Sequence, residues 1–365
     1  MKIALIRRNF AATGGAELYL QRLLAALVAG GHEMHLFAER WEGAPGAAHI
    51  HQVPVSATRA RRPLVFAEAV AARVAAEPGF DVIFSLERTL CQDVYRAGDG
   101  LHRVWLEQRR RFSPWWRRLL TGTGAFHRNM MKLEARTLDP GNTRRVIVNS
   151  DMVKREILQH FAFPEERIHL VRNGVDTRRF TTGKREATRQ HFGFAPTDYV
   201  LLFVGSGWER KGLPFLLRTM KQYQANEPRI KLLVVGKGRQ RGALPSNVTF
   251  AGPMPAVEDA YAAADLLTFV PIYEPSSNVV TEALAAGLPV ITSAFNGAGE
   301  LIESNITGDV LPDPSDTTAL IEAVDRWSQR GPLRITARDV PLDLETNVQE
   351  TLRVLDLAAQ DRRAR

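Results

Sequence analysis

Residues 265–292 read DLLTFVPIYEPSSNVVTEALAAGLPVIT. The stretch opens on an apolar run, Asp265–Val270, of strand composition. A loop containing Pro271, Pro275 and Ser276 follows, and then Asn278–Ala286 with apolar residues at helical spacing. Gly287 stops that helix, and Pro289–Thr292 is a second short apolar run. Strand, helix and strand in so short a span form a βαβ crossover, the unit of a parallel sheet covered by helices.

The same rhythm extends upstream. Tyr199–Val204 reads as a strand ending at Gly205, Gly212–Gln224 as a helix, Ile230–Val235 as a strand ending at Gly236, Val248–Ala251 as a strand and Ala256–Ala264 as a helix. It also opens the chain. Ile3–Ile6 is followed by the turn Thr13-Gly14-Gly15, a helix from Ala16 to Ala29 striped by Leu20, Leu23, Leu24 and Leu27, and a strand over Glu33–Ala38. Phe80–Leu86 and Arg145–Asn149 read as later strands of that first sheet, with Ser150 capping the next helix. The pattern predicts two doubly wound α/β domains, which suits a chain of 365 residues. The expected divisions are 1–172, 173–340 and a terminal segment 341–365. That last segment carries a helix over Leu344–Leu357 and an Arg-rich tail expected to fray.

Composition narrows the class. A single cysteine, Cys91, excludes a disulfide scaffold and any cysteine-based metal centre. The run Ile3–Ile6 before Arg7 and Arg8 is too short for a signal-peptide core, and no stretch reaches the roughly 20 apolar residues of a membrane span. The expectation is a cytoplasmic protein. The nine histidines show no metal-ligand spacing, and His32 and His35 read as surface residues at a strand end. No metal site is expected.

Ligands of open parallel sheets bind beyond the carboxyl ends of strands, so the loops there carry the chemistry. Gly14 and Gly15 precede a helix, where backbone N–H groups can meet an anion, although a plain tight turn explains them equally. After Val204 come Gly205 and then the adjacent cations Arg210 and Lys211, placed to neutralise a diphosphate. After Val270 comes Glu274 on the loop, with Glu282 in the helix that follows. Between these carboxylates the helix start offers N–H groups around Ser277, Asn278 and Val279. Carboxylates accept bonds from sugar hydroxyls while N–H groups and cations hold phosphate, a pairing suited to a sugar nucleotide.

Two glutamates eight residues apart, followed by Ala-x₃-Gly-x-Pro-Val, resemble the signature of the GT-B retaining glycosyltransferases of family 4. The early Gly-Gly loop, Asn173-Gly174-Val175-Asp176, Arg210-Lys211-Gly212 and Gly252 agree with it over about residues 1 to 330. Within that family the chain is similar to the lipopolysaccharide core glucosyltransferase I type, through residues 32–37, Trp41, Tyr95-Arg96-Ala97-Gly98-Asp99 and the basic aromatic segment after them. The resemblance implies a GT-B fold of two Rossmann-like domains with the active site in an interdomain cleft, and a terminal helix crossing back to the first domain. It implies that Glu282 holds the nucleotide ribose and Glu274 the transferred sugar, while Arg210 and Lys211 stabilise the leaving diphosphate. Gly14, Gly15, Gly205, Asn173 and the backbone of Ser277, Asn278, Val279 and Val280 complete the donor site. Such enzymes use no metal and no cofactor beyond the nucleotide sugar. Where relatives usually carry an acidic residue after the glycine pair, this chain has Tyr19, with Glu17 the nearest carboxylate. Asp99 is therefore the next candidate on the acceptor side, against the plain reading of an Asp-Gly turn.

The expected reaction is retaining transfer of a hexose, glucose from UDP-glucose, to a lipopolysaccharide inner-core acceptor. The alternatives are a family-4 enzyme acting on another lipid-linked or soluble glycan, and a binding protein on an inactive scaffold. The net charge of +8 is concentrated in residues 103–132, which hold eight basic residues and one acidic. Trp105, Trp115 and Trp116 lie there among Arg109, Arg110, Arg111, Arg117 and Arg118. Cations for anionic lipid beside aromatics for the headgroup boundary fit a membrane-binding segment on the inner face of the cytoplasmic membrane. Nucleic-acid binding and a helix packed on its own domain are the rival readings, and no nucleic-acid motif occurs elsewhere in the chain.

Overall fold

The computed structural model describes residues 1–10, 15–42, 48–239, 242–335 and 343–364, with side chains of the first helix described from Leu20 onward. The chain divides into two units, Met1–Arg172 with Leu344–Arg365, and Asn173–Asp343. The first runs β1 (Lys2–Ile6), β2 (Asn9–Phe10), α1 (Gly15–Ala29), β3 (Glu33–Ala38), β4 (Arg40–Trp41), β5 (His49–Gln52), α2 (Arg62–Ala75), β6 (Val82–Ser85), β7 (Val94–Arg96), α3 (His102–Arg111), α4 (Trp115–Arg118), α5 (Ala125–Thr137), β8 (Arg145–Val148), α6 (Asp151–His160) and β9 (Ile168–Leu170). Its main sheet is parallel, in the order β5-β3-β1-β6-β7-β8-β9, so the winding reverses between β1 and β6.

Strand β1 shows why the sheet reads as apolar runs. Ile3 and Leu5 face the layer of Leu20, Leu23 and Leu27, whereas Ala4 and Ile6 face Phe66, Val70 and Val74 of α2. Both faces are covered, so both sets of alternating positions must be apolar.

The second unit runs α7 (Thr177–Phe180), α8 (Arg185–His191), β10 (Tyr199–Val204), α9 (Leu213–Asn226), β11 (Ile230–Val235), β12 (Val248–Gly252), α10 (Val257–Ala263), β13 (Leu266–Phe269), α11 (Asn278–Ala285), β14 (Val290–Ser293), β15 (Gly308–Leu311) and α12 (Thr317–Gln329). Its parallel sheet has the order β12-β11-β10-β13-β14-β15, reversing between β10 and β13. One core holds it together, with Phe203 and Phe269 in the sheet packed against helix residues such as Leu216 and Trp327. Within that unit Asp265 is fully buried and satisfied by Val200 N–H, Arg185 and Arg189.

Helix α13 (Leu344–Arg363) is part of the first unit, where Val354, Leu355 and Ala358 join the layer containing Ile3 and Leu5. Its end corrects the expectation of a frayed tail. Arg362 donates to Asp93 at 2.7 Å, Arg363 to Asp81 at 2.8 Å, and Arg145 donates to Asp361 at 2.8 Å. These acidic partners are distant in sequence, so the arginines look unanchored until the sheet assembles. His35 is a second correction. It lies on β3 with 8% of its surface exposed, covered by His51, His49 and Phe80 rather than by solvent.

Candidate active site

Where the winding reverses between β10 and β13, neighbouring strands send their connections to opposite faces and leave a crevice at their carboxyl ends. The loop after β10 is pressed against the end of β13 by Gly212, which caps α9 with φ +84°. A Cβ at that position would lie 1.9 Å from Val270 O, so only glycine fits. Ile272 N–H donates to Arg210 O at 2.9 Å and fastens the two loops together. Arg210 Nη1 consequently lies 2.9 Å from Glu274 Oε2, and it also donates to Tyr273 O at 3.3 Å.

Lys211 folds beneath Gly205. A Cβ on Gly205, whose φ is +146°, would meet Lys211 Cδ at 2.7 Å and Nζ at 2.8 Å, so the glycine makes room for the lysine. Nζ lies 5.6 Å from the centre of the Phe269 ring. Burial pulls the Lys211 pKa down, and the carboxylates of Glu274 and Glu282 partly restore it.

Helix α11 starts at the floor of the same crevice. Ser277 is its N-cap residue but makes no side-chain cap. The resemblance implied four backbone donors here, and the structure reduces them. Ser277 N–H already donates to Asn296 Oδ1 at 3.2 Å, and Val280 N–H to Ser277 O at 3.2 Å. Asn278 and Val279 are left as the first-turn N–H groups open to an anion. Asn173 braces this turn, donating from Nδ2 to Ser276 O at 3.1 Å and to Asn278 Oδ1 at 2.9 Å.

Glu282 sits one turn further along α11, where Tyr261 of α10 donates its hydroxyl to Oε2 at 2.6 Å. Burial raises its carboxyl pKa to about 7, against the lowering influence of Tyr261, Arg179 and Lys211. The crevice therefore combines two cations, two open N–H groups and two carboxylates of different character. Glu274 is ion-paired, whereas Glu282 is poised between its charged and neutral forms. That set suits a ligand with phosphate at one end and vicinal hydroxyls beside it.

Spacing in the sequence did not find Tyr261, which meets Glu282 only through the packing of α10 on α11. Asn296 was missed as well. Its Oδ1 accepts from both Ser277 N–H and Ala298 N–H, and its Nδ2 donates to Thr292 Oγ1 at 2.9 Å.

The first unit has its own reversal, between β1 and β6. Gly14 lies outside the described residues, as do the side chains of Glu17 and Tyr19, while Gly15 opens α1. After β6 comes Glu87, unremarked in the sequence although it follows a strand's carboxyl end. It accepts from Arg8 N–H at 3.2 Å and lies 3.4 Å from Arg7 Nη1. Burial raises its pKa, with Arg7 opposing and Asp99 reinforcing. Next to it Arg88 donates to Glu134 at 3.1 Å and to Gly100 O at 2.6 Å, and Glu134 accepts from the His102 and Arg103 N–H groups that begin α3. Asp99 is exposed at the tip of a tight turn, with Gly100 at φ +64° and its N–H on Ala97 O at 3.1 Å. The turn is real, and the Asp99 carboxylate also bears electrostatically on Glu87, Arg88 and Tyr95.

The basic aromatic segment spans α3, α4 and α5. Helix α3 buries Val104 and Leu106, whereas α4 buries nothing. Trp115 is 76% exposed and Trp116 52%, beside Leu119 and Leu120 at 78% and 73%. Arg117 lies 4.7 Å from the Trp116 ring and Arg109 5.2 Å from that of Trp105. Arg110 and Arg118 turn inward to Thr121 O and Ser113 O. Arg111 stacks on Phe112 at 5.3 Å.

Comparison with known proteins agrees with this geometry. The model for Glycosyltransferase Family 4 matches residues 13–179 and that for glycosyl transferases group 1 matches residues 198–330. The lipopolysaccharide glucosyltransferase WaaG of Escherichia coli (strain K12) is 26% identical over 337 residues, covering 88% of each chain. A D-inositol 3-phosphate glycosyltransferase of Mycobacterium sp. (strain KMS) is 33% identical over 206 residues, 52% of this chain and 45% of that one. A crystal structure of WaaG aligns with TM-score 0.77 and 24% identity over 99% of this chain and 98% of that one. Anabaena HepE in complex with UDP and glucose aligns with TM-score 0.69 and 18% identity over 98% and 99%. These structural matches establish the fold.

Proposed function

The chain carries the paired family 4 and group 1 domains of a GT-B glycosyltransferase, and on that premise we propose that it transfers glucose from UDP-glucose, with retention, to a lipopolysaccharide inner-core acceptor. The observation that carries the donor half is the convergence of Arg210, Lys211, Glu274 and Glu282 at one strand reversal, with the Asn278 and Val279 N–H groups between them. In this reading Glu282 accepts from the ribose hydroxyls. The open N–H groups and Lys211 hold the diphosphate, and Arg210 exchanges its ion pair with Glu274 for the phosphate next to the sugar. Glu274, so released, is free to accept from the sugar hydroxyls as the reacting carbon becomes cationic. The bond from that carbon to the diphosphate oxygen breaks and a bond to the acceptor oxygen forms on the same face. The acceptor's hydroxyl proton leaves with the diphosphate. Preorganised cations aimed at the leaving group supply the stabilisation a metal gives elsewhere, so no metal or further cofactor is invoked.

Acceptor recognition in this reading falls to the first unit, with Asp99 and Glu87 as its acidic residues. The α3–α4 segment would rest on the anionic inner face of the cytoplasmic membrane, where a glycolipid acceptor is found. The exposed Trp115, Trp116, Leu119 and Leu120 beside arginines support that over the nucleic-acid reading. Among the described residues no helix is long and apolar enough to cross a membrane, so attachment would be peripheral. The relatives that act on inositol phosphate favour a second reading, a family-4 enzyme with another glycan or polyol acceptor.

The test is turnover of a panel of nucleotide sugars, with core lipopolysaccharide and soluble acceptors, and proton NMR of the product anomer. UDP-glucose consumption with an α-linked product supports the proposal. Inversion, or activity only with another acceptor, refutes the corresponding part. Failure to bind or hydrolyse any sugar nucleotide would return the chain to an inactive scaffold.

A further inference from the structure

Away from both strand reversals, at the β5 edge of the first sheet, three histidines gather on one face. Strands β3 and β5 are parallel with His35 opposite His49 and Phe37 opposite His51, so all four side chains share the face on which α2 packs. His35 Nδ1 and His51 Nε2 are 2.8 Å apart. His35 Nε2 lies 2.8 Å from Glu33 Oε1, and His51 Nδ1 lies 3.2 Å from Glu77 Oε1. Glu77 follows the end of α2, its Oε1 ion-paired to Arg73 at 2.9 Å, while its Oε2 lies 3.9 Å from His35 Nδ1. The rings have little freedom, because His51 stacks on Phe37 at 4.5 Å and meets His35 edge to edge, their centres 5.0 Å apart.

Hydrogens can be counted along this ladder. With His35 Nε2–H donating to Glu33, His51 Nε2–H to His35 Nδ1, and Arg73 Nη2 to His51 Nδ1 at 3.4 Å, two neutral imidazoles complete it. Moving the His51 hydrogen to Nδ1, where Glu77 Oε1 lies 3.2 Å away, leaves His35 Nδ1 and His51 Nε2 facing each other lone pair to lone pair. A cation at that point suits this second tautomer, and Glu77 Oε2 is the nearby third donor.

We infer that His35 Nδ1, His51 Nε2 and Glu77 Oε2 form a binding site for a divalent transition-metal ion, for which Glu33 holds the outer ring nitrogen of His35. Imidazole nitrogen with one carboxylate selects zinc-like ions over calcium or magnesium, which prefer oxygen alone. Zn–N bonds of about 2.0–2.1 Å set tetrahedral ligands about 3.3 Å apart. The separations of 2.8 Å from His35 Nδ1 to His51 Nε2 and 3.9 Å from His35 Nδ1 to Glu77 Oε2 bracket that value, so each of these two pairs needs to shift only by roughly half an ångström. A carboxylate on the far nitrogen is the usual outer support of a metal-bound histidine, and Glu33 stands there. Three protein ligands leave a position open to water.

The test is calorimetric titration of the chelator-stripped full chain with Zn²⁺ alone. One ion per chain is expected, with a rise in melting temperature on loading. His51→Gln and Glu77→Gln should each weaken binding at least tenfold, and the solvent-exposed Glu33→Gln by about 10–100-fold, the usual effect of losing an outer support. His49→Gln should leave affinity unchanged, because His49 groups with Glu33 and His35 and not with His51 and Glu77. Glu33→Gln guards against misfolding as an explanation, since its side chain lies at the surface. No saturable Zn²⁺ binding, or binding unaltered by His51→Gln and Glu77→Gln, overturns the proposal. Loss confined to His49→Gln overturns it too, by shifting the ion to the Glu33 side.

Discussion

Raising the pH from 6 to 8 should tighten UDP-glucose binding about tenfold, and Glu282→Gln should remove that dependence. Glu282 is buried under α10 with Tyr261 as its direct partner, and its carboxyl titrates at about 7 instead of the usual 4.5. An ionised carboxylate accepts from two ribose hydroxyls, whereas the neutral acid presents a hydrogen where one of them should donate. With a midpoint near 7, roughly a tenth of the sites are ionised at pH 6 and nine-tenths at pH 8, and apparent affinity scales with that fraction. Hydrogen bonds from the ribose favour the charged form and lower the pKa in the complex, so binding expels a proton below pH 7. Each phosphorus of UDP-glucose carries one ester and one anhydride link, leaving only a strongly acidic hydroxyl that does not titrate in this range. The unliganded protein responds oppositely. Because the folded pKa is raised, the unfolded chain loses its proton first, and the contribution of Glu282 to stability falls as the pH climbs from about 4.5 to about 7. Calorimetric titration at pH 6, 7 and 8, in two buffers of different protonation enthalpy, reads affinity and proton release together. A flat affinity profile, or the same slope in Glu282→Gln, would refute the ribose assignment.

Arg210→Ala and Lys211→Ala should each cost about 2–4 kcal/mol in kcat/KM, mostly through kcat, with activity of the parent enzyme insensitive to EDTA. Glu274→Ala should lower kcat more than it raises KM, and equal effects on both would mean a contact made already in the ground state. Gly212→Ala should destabilise the second unit by about 2–5 kcal/mol in urea unfolding, because a Cβ meets Val270 O in a left-handed backbone conformation. Replacing Trp115, Trp116, Leu119 and Leu120 with Ser should release the protein from anionic vesicles in co-sedimentation while leaving UDP-glucose binding intact. Equal retention on neutral and anionic vesicles would count against the electrostatic part, since each cation near such a surface is worth roughly 1 kcal/mol and is screened by salt. Arg110 and Arg118 are poor choices for this test, as they fasten Thr121 O and Ser113 O within the segment.

The fold was legible where a strand is covered on both faces. Tyr199–Val204 and Ile230–Val235 appear over the ranges expected, since burial on both sides leaves a nearly unbroken apolar run, and Glu33–Ala38, which alternates, also keeps its expected bounds. Two of the strands that escaped notice are short and polar. His49–Gln52 at the sheet edge, and Ile168–Leu170 with its central His169, take strand form from the neighbour they pair with rather than from their own composition. At the site, the cations and glutamates stand out in sequence because loops after strands hold few charges by chance. Tyr261 and Asn296 do not, as a buried hydroxyl and a buried amide reveal their purpose only through partners 21 and 19 residues away. His35 misled for the same reason. An imidazole beside a strand end looks solvated until β5 and α2 cover it.

The place of α13 sets the timetable of folding. Residues 344–364 emerge from the ribosome only after all of the second unit has been made, yet Val354, Leu355 and Ala358 complete the layer around Ile3 and Leu5. Domains usually fold as they are synthesised, the N-terminal one first. Here the first domain to be translated is the last to be finished. Its sheet must wait with part of one apolar face uncovered, so a nascent chain stalled anywhere before residue 344 is one that a chaperone would recognise.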